Sequence, residues 1–426
     1  MDKTIPSGPR RGRVTAPPSK SDAHRALICA ALCGANPVGD GTPTLPTVLK
    51  LGALNADIEA TVRCLEALGV GVTRGDGTLT ITPQSAGPQP IRPVSPLLDC
   101  GESGATLRLM LPVATLLADN PRFIGAGRLP ERPNAPLLDA MAANGCFSDS
   151  STLPLTLSGT LRSGIYMLPG DVSSQYVSGL LLALSAVPGE SEIRLTSPLE
   201  SAAYVDMTIR TLSRFGVSVQ RTVNNEQLTT GYQLVGTRRA GGGAPYSGQL
   251  SSPGTYIVEG DWSGAACFVA LNALGGDVTV DGLDMESAQP DRAILHLAEE
   301  LPETLDISAF PDLFPVLSVL ACEKIGTTTF TGGRRLRIKE SDRIAATARL
   351  IAALGGRCEE RPDALAVFGT GRLRGGIADS ENDHRIAMAA AVAAAICQEP
   401  VTVRGAEAVN KSYPGFWDDL EGLEIV

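Results

Sequence analysis

The feature that most constrains this chain is an alternation of two kinds of helix. The first kind opens on small or polar residues that can cap a helix, then continues as a strongly apolar run. It reads at Ser21–Leu32, Ser103–Leu117, Ser173–Val187, Ser263–Leu274, Asp312–Ala321 and Asp383–Ile396. A helix that is apolar on every side has to be buried on every side. The second kind is amphipathic, and several examples stop at glycine. It reads at Ala56–Leu68, Pro133–Ala143, Ala203–Phe215, Ala288–Leu301, Glu340–Leu354 and Tyr413–Leu423. CLEALGV, TLSRFGV and LIAALGG are the clearest ends, since glycine accepts the left-handed turn that closes a helix. Short alternating stretches such as LTITP and YQLVG read as strands.

Successive apolar helices begin about 70–90 residues apart, with one interval of about 50 across the fifth unit. Six units, each of strands with one buried and one amphipathic helix, predict an α/β chain with helices packed inside a shell of sheets. Three units fall on either side of GTRRAGGGAPYSGQLSSPG (Gly236–Gly254), a Gly/Ser/Pro-rich linker. The first strand precedes the first repeat and so goes with the second half. The expected domains are therefore residues 1–19 plus 255–426, carrying repeats four to six, and residues 20–254, carrying repeats one to three and the linker 236–254. The fifth repeat is expected to be truncated, with one helix end and a strand pair lost between Glu300 and Ile307.

The net charge of −10 argues against nucleic acid or an anionic membrane as the partner, because both select basic surfaces. No apolar run reaches the ~20 residues of a membrane span. Arg10, Arg11 and Arg13 are not followed by the apolar core of a targeting segment. A cytoplasmic location is expected. The nine cysteines are odd in number and scattered, which reads as reduced thiols rather than a disulfide framework. With three histidines and no second cysteine pair, no metal site is expected.

An acidic chain that binds anions must concentrate its cations, and they gather where buried helices begin. PSKSDAHR supplies Lys20, Ser21 and Arg25; CGESGATLR supplies Gly101, Gly104 and Arg108; GDVSSQ supplies Ser173, Ser174 and Gln175; ENDHR supplies His384 and Arg385. Free N–H groups and the positive dipole end make a helix start an anion site. Taken singly, Ser21 and Ser173 also fit plain N-caps, and CGESG fits a tight turn. Arg25 and Arg385 lie in otherwise buried runs and need counter-charges. RRLRIKESDR (Arg334–Arg343) reads as a cationic strand entering a helix whose first turn carries Glu340 and Asp342; a surface salt-bridge network would look the same.

PPSKSDAHRAL, CGESGATLRL, ERPNAPLLDAM, GDVSSQY, VEGDWSGAA, RLRIKESDR, NDHRIAMA and NKSYPGFWDDL occur in one order from about Lys20 to Leu423. In these motifs the chain resembles the EPSP synthases, the 3-phosphoshikimate 1-carboxyvinyltransferases of the enolpyruvyl transferase family. The resemblance implies a two-domain inside-out α/β barrel built from six βαβαββ repeats, three per domain. It implies transfer of the enolpyruvyl group of phosphoenolpyruvate to the 5-hydroxyl of shikimate 3-phosphate, through a tetrahedral intermediate and with release of phosphate. No cofactor or metal is implied, the partners are those two small molecules, and a monomer is expected.

The same resemblance assigns residues. Lys20, Ser21, Arg25, Ser173, Ser174, Gln175, Ser201, Asp312 and Lys339 would hold shikimate 3-phosphate, with Tyr204 lining its ring. Lys20, Gly104, Arg132, Gln175, Arg343, Arg385 and Lys411 would hold phosphoenolpyruvate. Asp312 and Glu340 match the two acid/base carboxylates, and Lys20 would assist the leaving phosphate. Several positions depart from the family pattern: Arg335 where a polar amide is known, SAQPDR in place of the usual Gln-Gly-Asp, and extra residues near Pro37–Lys50. A non-catalytic anion binder and an enolpyruvyl transferase with another acceptor are the competing readings. Retention of Asp312, Glu340, Lys20 and Lys411 together speaks against the first. The Ser-Lys-Ser start speaks against the sister UDP-N-acetylglucosamine enzyme.

Overall fold

The apolar runs fold as buried helices, and the shell around them follows from how a parallel strand pair must be connected. The computed structural model describes residues 1–33, 45–84, 92–224, 229–234, 236–237, 246–247 and 250–426. Two compact units emerge: Lys20–Val258, and Met1–Ser19 together with Glu259–Val426. Most of the Gly236–Gly254 linker and part of the Pro37–Lys50 stretch lie outside the described residues.

The Lys20–Val258 unit carries helices α1 (Lys20–Leu32), α2 (Ala56–Ala67), α3 (Gly104–Leu117), α4 (Ala135–Ala142), α5 (Ser174–Leu184) and α6 (Ala202–Arg214). The apolar helices α1, α3 and α5 pack on one another and are buried along almost their whole length. Around them stand three four-stranded sheets. In the second, Leu97–Asp99 and Arg122–Ile124 run parallel, and Leu155–Gly159 and Cys146–Ser148 follow antiparallel. A parallel pair requires a crossover, and α3 is that crossover. The third sheet repeats the order, with Ile165–Leu168 parallel to Ser191–Leu195 across α5.

The first sheet is completed from far along the chain. Thr255–Ile257 pairs in parallel with Val48–Lys50. That pairing keeps 255–258 with this unit, so the second crossing falls at Val258/Glu259, four residues beyond the 254/255 boundary expected from linker composition.

The other unit carries α7 (Trp262–Ala273), α8 (Ile294–Glu299), α9 (Phe314–Glu323), α10 (Arg343–Ala353), α11 (His384–Ala393) and α12 (Phe416–Glu421). Here α7, α9 and α11 are the mutually packed, buried set. The N-terminal strands belong with it: Arg10–Thr15 runs parallel to Asp277–Asp281, and Asp2–Ile5 antiparallel to Val401–Arg404. Gly355 ends α10 at φ +84° and Gly216 ends α6 at the same angle, the left-handed stop seen in LIAALGG and TLSRFGV.

The expected truncation has to be moved by one repeat. The fifth repeat holds a complete four-stranded sheet, Thr304–Asp306, Gly326–Thr331, Ala364–Gly369 and Arg357–Arg361, in the same order as the others. The fourth is short. After Asp277–Asp281 come a 3-10 turn at Pro290–Ala293 and the six-residue α8, and the chain then enters the next sheet. Glu424–Ile425 pairs with Arg10–Thr15 to give that sheet its third strand. The interval between buried helices was short because the residues lost lie before α9, where they belong to the repeat of α7. Pro290 accounts for the broken helix: it removes an N–H and is tolerated only where a helix begins.

A helix of one and a half turns beside a missing hairpin should open more readily than a three-turn neighbour. Amides of Ile294–Glu299 are expected to exchange with deuterium faster than those of Arg343–Ala353, measured by mass spectrometry on native protein. Equal protection would mean the shortened repeat is as well packed as its neighbour.

Candidate active site

Within the Lys20–Val258 unit the expected anion-holding residues sit at helix starts. Lys20 begins α1, and its Nζ lies 2.9 Å from Oδ2 of Asp57 in the first turn of α2. Arg25, on the second turn of α1, is 3% exposed. Its Nε donates to Thr208 Oγ1 at 2.7 Å and its Nη1 to the Ser21 carbonyl at 2.6 Å. Its Nη2 donates to the Tyr204 carbonyl at 2.9 Å and to Ser178 Oγ at 3.4 Å. All of these partners are neutral. Burial pulls the guanidinium down to about 10, against the opposing charge of Asp22. Asp22 itself accepts from the Tyr256 hydroxyl at 2.6 Å.

Ser173 caps α5, its Oγ accepting from the Gln175 N–H at 3.3 Å, and Ser174 is the first helical residue. Gln175 Oε1 accepts from Arg108 Nη1 at 3.0 Å. Arg25 thus reaches α5 and α6 while Arg108 ties α3 to the start of α5, so α1, α3 and α5 present their amino ends on one side of the unit. Gly104 opens α3 against Arg132: a Cβ there would stand 2.5 Å from Nη1 and 2.9 Å from Cζ. The glycine is what lets that guanidinium lie on the helix start. Ser201 precedes α6 in the left-handed region at φ +55°, and it is buried. Such a backbone costs a serine on the order of 1–3 kcal/mol and persists where surroundings enforce it.

In the other unit one side chain organises the rest. Arg343 is 1% exposed. Its Nη1 donates to Asp312 Oδ1 at 2.6 Å, its Nη2 to Glu340 Oε2 at 3.0 Å, and its Nε to Asp383 Oδ2 at 2.8 Å. Burial alone would weaken its hold on the proton, but the charges of Asp383, Glu340 and Asp312 reverse this and raise it well above the usual arginine value. Asp312 Oδ2 is 3.5 Å from Arg385 Nη2, and its Oδ1 is 3.8 Å from Lys339 Nζ. Arg385 also donates to the Ser263 carbonyl at 2.8 Å. Lys411 Nζ donates to the Asn382 carbonyl at 2.5 Å, beside Asp383, which caps α11.

The segment read as a cationic strand is a 3-10 helix at Arg334–Ile338. Glu340 stands before α10 rather than in its first turn, because Asp342 is the cap and accepts from the Ala345 N–H at 3.1 Å. Standing outside the helix leaves Glu340 free to turn back onto Arg343. Arg335 donates to the Ser308 carbonyl at 3.0 Å.

Sequence reasoning passed over four buried groups. Asp57 faces Lys20. Asp383 was visible in ENDHR but only its neighbours were assigned, although an aspartate before a buried helix signals a cap. Gln289 and Asp291, both in SAQPDR, are 5% and 1% exposed. Burial raises the Asp291 carboxyl to about 7, Asp312 adding to the effect. The nine cysteines are free thiols, and among the described residues no helix is long and apolar enough to cross a membrane.

Comparison with known proteins agrees along the whole chain. The family model for EPSP synthase (3-phosphoshikimate 1-carboxyvinyltransferase) matches residues 6–303 and 296–420. A 3-phosphoshikimate 1-carboxyvinyltransferase of Clostridium kluyveri is 38% identical, covering 97% of this chain and 95% of its own length. One from Clostridium novyi is 35% identical over 98% and 96%. Among solved structures, EPSP synthase from Acinetobacter baumannii superposes with a TM-score of 0.73 at 22% identity, covering 100% of this chain and 99% of that one.

Removing one partner from a buried ion pair costs about 3–5 kcal/mol. Arg343→Met should lower stability by about that amount, because Asp383, at 0% side-chain exposure, loses its cation. Both tryptophans, Trp262 and Trp417, lie in this unit. Urea unfolding followed by tryptophan fluorescence therefore reports on it, and an unchanged midpoint would show that the cluster does not stabilise the unit.

Proposed function

We infer the chemistry from one premise: this chain belongs to the EPSP synthase (3-phosphoshikimate 1-carboxyvinyltransferase) family. It is a transferase of the shikimate pathway, which leads to chorismate and the aromatic amino acids. It moves the enolpyruvyl group of phosphoenolpyruvate onto the 5-hydroxyl of shikimate 3-phosphate and releases phosphate.

The proposed division of labour follows from the two clusters. Lys20, Ser21, Arg25, Ser173, Ser174, Gln175, Ser201 and Tyr204 hold shikimate 3-phosphate, assisted by Lys339 and Asp312. Arg25 supports this reading, being a desolvated cation with neutral partners, for which an arriving phosphate supplies the missing charge. Lys20, Gly104, Arg132, Gln175, Arg343, Arg385 and Lys411 hold phosphoenolpyruvate.

In the addition step Asp312 takes the proton of the 5-hydroxyl, whose oxygen bonds to C2 of phosphoenolpyruvate, while Glu340 gives a proton to C3. The product is a tetrahedral ketal with a methyl group. In the elimination step the C2–O bond to phosphate breaks, Lys20 stabilises the leaving phosphate, which carries off the proton first taken by Asp312, and Glu340 takes a proton back from C3. General acid–base groups of this kind are worth roughly 10²–10⁴ in rate.

The observation that carries the reading is that Asp312 and Glu340 are both held on one buried arginine. Anion binding alone has no use for two such carboxylates, whereas proton transfer at two positions needs both. The protein is proposed to work as a cytoplasmic monomer without metal or organic cofactor, with lysines and arginines neutralising the substrate charge.

Phosphate release should require shikimate 3-phosphate and phosphoenolpyruvate together. Turnover with a UDP-sugar acceptor, or none with shikimate 3-phosphate, would reject the assignment. Glu340→Gln is expected to lower kcat by roughly 10²–10⁴ while shikimate 3-phosphate still binds by calorimetry. Near-normal turnover would reduce Glu340 to a structural partner of Arg343.

A further inference from the structure

The SAQPDR segment (Ser287–Arg292) contributes three buried polar side chains, Ser287, Gln289 and Asp291, that the reaction above does not use. Gln289 accepts from Ser19 Oγ at 3.2 Å and from the Trp262 N–H at 3.0 Å, and it donates to the Gly260 carbonyl at 2.8 Å. Its neighbour Asp291 faces the chemistry. Ser263 Oγ donates to Asp291 Oδ2. Ser263 lies in the first turn of α7, and its carbonyl accepts from Arg385 Nη1 at 2.8 Å. The other end of that guanidinium is 3.5 Å from Asp312 Oδ2. A continuous chain of contacts therefore runs Asp291–Ser263–Arg385–Asp312.

We propose that Asp291 is a positioning residue for Arg385, acting through Ser263 and setting how tightly that guanidinium holds an anion. The inference rests on the reading of Arg385 as a phosphoenolpyruvate ligand. An ionised Asp291 places negative charge behind Arg385 and opposes an incoming anion, and a protonated Asp291 does not. Burial raises this carboxyl to about 7, with Asp312 and Asp261 adding to the effect and Ser263 and Arg385 working against it. Those four residues bear on it from the cap and first turn of α7, the turn before α9, and α11. Arg292, His296 and Glu299, on its own segment and α8, are exposed. A bound anion adds another negative charge nearby and draws a proton onto Asp291. Phosphoenolpyruvate binding is thus accompanied by proton uptake, and its affinity falls as pH rises through the range of this carboxyl.

The test is the KM for phosphoenolpyruvate between pH 6 and 9, at saturating shikimate 3-phosphate, in wild type, Asp291→Asn, Ser263→Ala and Arg385→Lys. Titration of the substrate's own phosphate acts on all four alike, so differences between curves are read. Wild-type KM should rise about threefold or more, each unit of induced pKa shift being worth tenfold. Asp291→Asn should lack that rise, leaving only the change due to the substrate's own titration, with kcat little changed. Ser263→Ala removes a hydrogen bond that favours the ionised carboxyl, so its rise should come at higher pH. An Asp291→Asn curve parallel to wild type overturns the proposal. So does an unmoved Ser263→Ala curve, which decides the matter if the asparagine variant does not fold. A wild-type KM in Arg385→Lys overturns the assignment of Arg385 itself, and this inference with it, which separates that failure from the other two.

Discussion

Three carboxylates converge on one guanidinium at 1% exposure, and that convergence fixes the geometry around Arg343. Asp312, Glu340 and Asp383 come from the turn before α9, the bend before α10 and the cap of α11. The arginine itself is the first residue of α10. Three chain segments, around Asp312, Glu340–Arg343 and Asp383, are thereby referenced to one planar group. The fork geometry of guanidinium makes each contact directional, so the two carboxylates proposed to move protons are held at defined orientations. Such preorganisation matters because proton transfer depends steeply on reach and alignment.

Arg25 solves the opposite problem. It is as well buried, but its donors end on carbonyl and hydroxyl oxygens from α1, α5 and α6. Hydrogen bonds satisfy its geometry without cancelling its charge, so the helix cluster keeps a net positive group in a low-dielectric setting. An anion bound there, as the proposed function has it, would return that electrostatic cost and so couple ligand affinity to folding stability. Arg343 and Arg25 show one residue type in two settings, distinguished by whether carboxylates or neutral oxygens accept its hydrogen bonds.

Much of this was legible from the sequence. The alternation of apolar and amphipathic helices gave the repeat, because burial on all sides leaves a periodic signature that survives divergence. Arg25 and Arg385 stood out because cations inside apolar runs are costly unless used, Lys20 and Ser173 because they open buried helices, and Arg343 only through the family motif. The misplaced truncation has a plain cause: spacing between helices counts missing residues without saying which repeat owned them, and only strand pairing resolves that. The 3-10 helix at Arg334–Ile338 was read as a strand because its alternating pattern fits either conformation over five residues. Asp291 was out of reach because its partners, Ser263, Arg385 and Asp312, lie 28, 94 and 21 positions away. No local pattern reports a contact of that kind.

The caps carry the argument one step further. In one unit α3 and α5 begin on serines, Ser103 and Ser173, while α1 begins on Lys20. In the other, α7, α10 and α11 begin on aspartates, Asp261, Asp342 and Asp383. Both residue types satisfy free N–H groups, but an aspartate also neutralises the positive end of the helix dipole. A serine-capped helix start therefore remains attractive to a phosphate, and an aspartate-capped one does not. The ENDHR motif looked equivalent to the other helix starts in sequence, yet with Asp383 in the cap an anion there must be held by side chains. On the proposed function, backbone dipoles would do part of the anion binding in the first unit, and in the second that work would fall to Arg343, Arg385 and Lys411. The choice of cap thus distinguishes the electrostatics of the helix starts in the two units, serines in one and aspartates in the other.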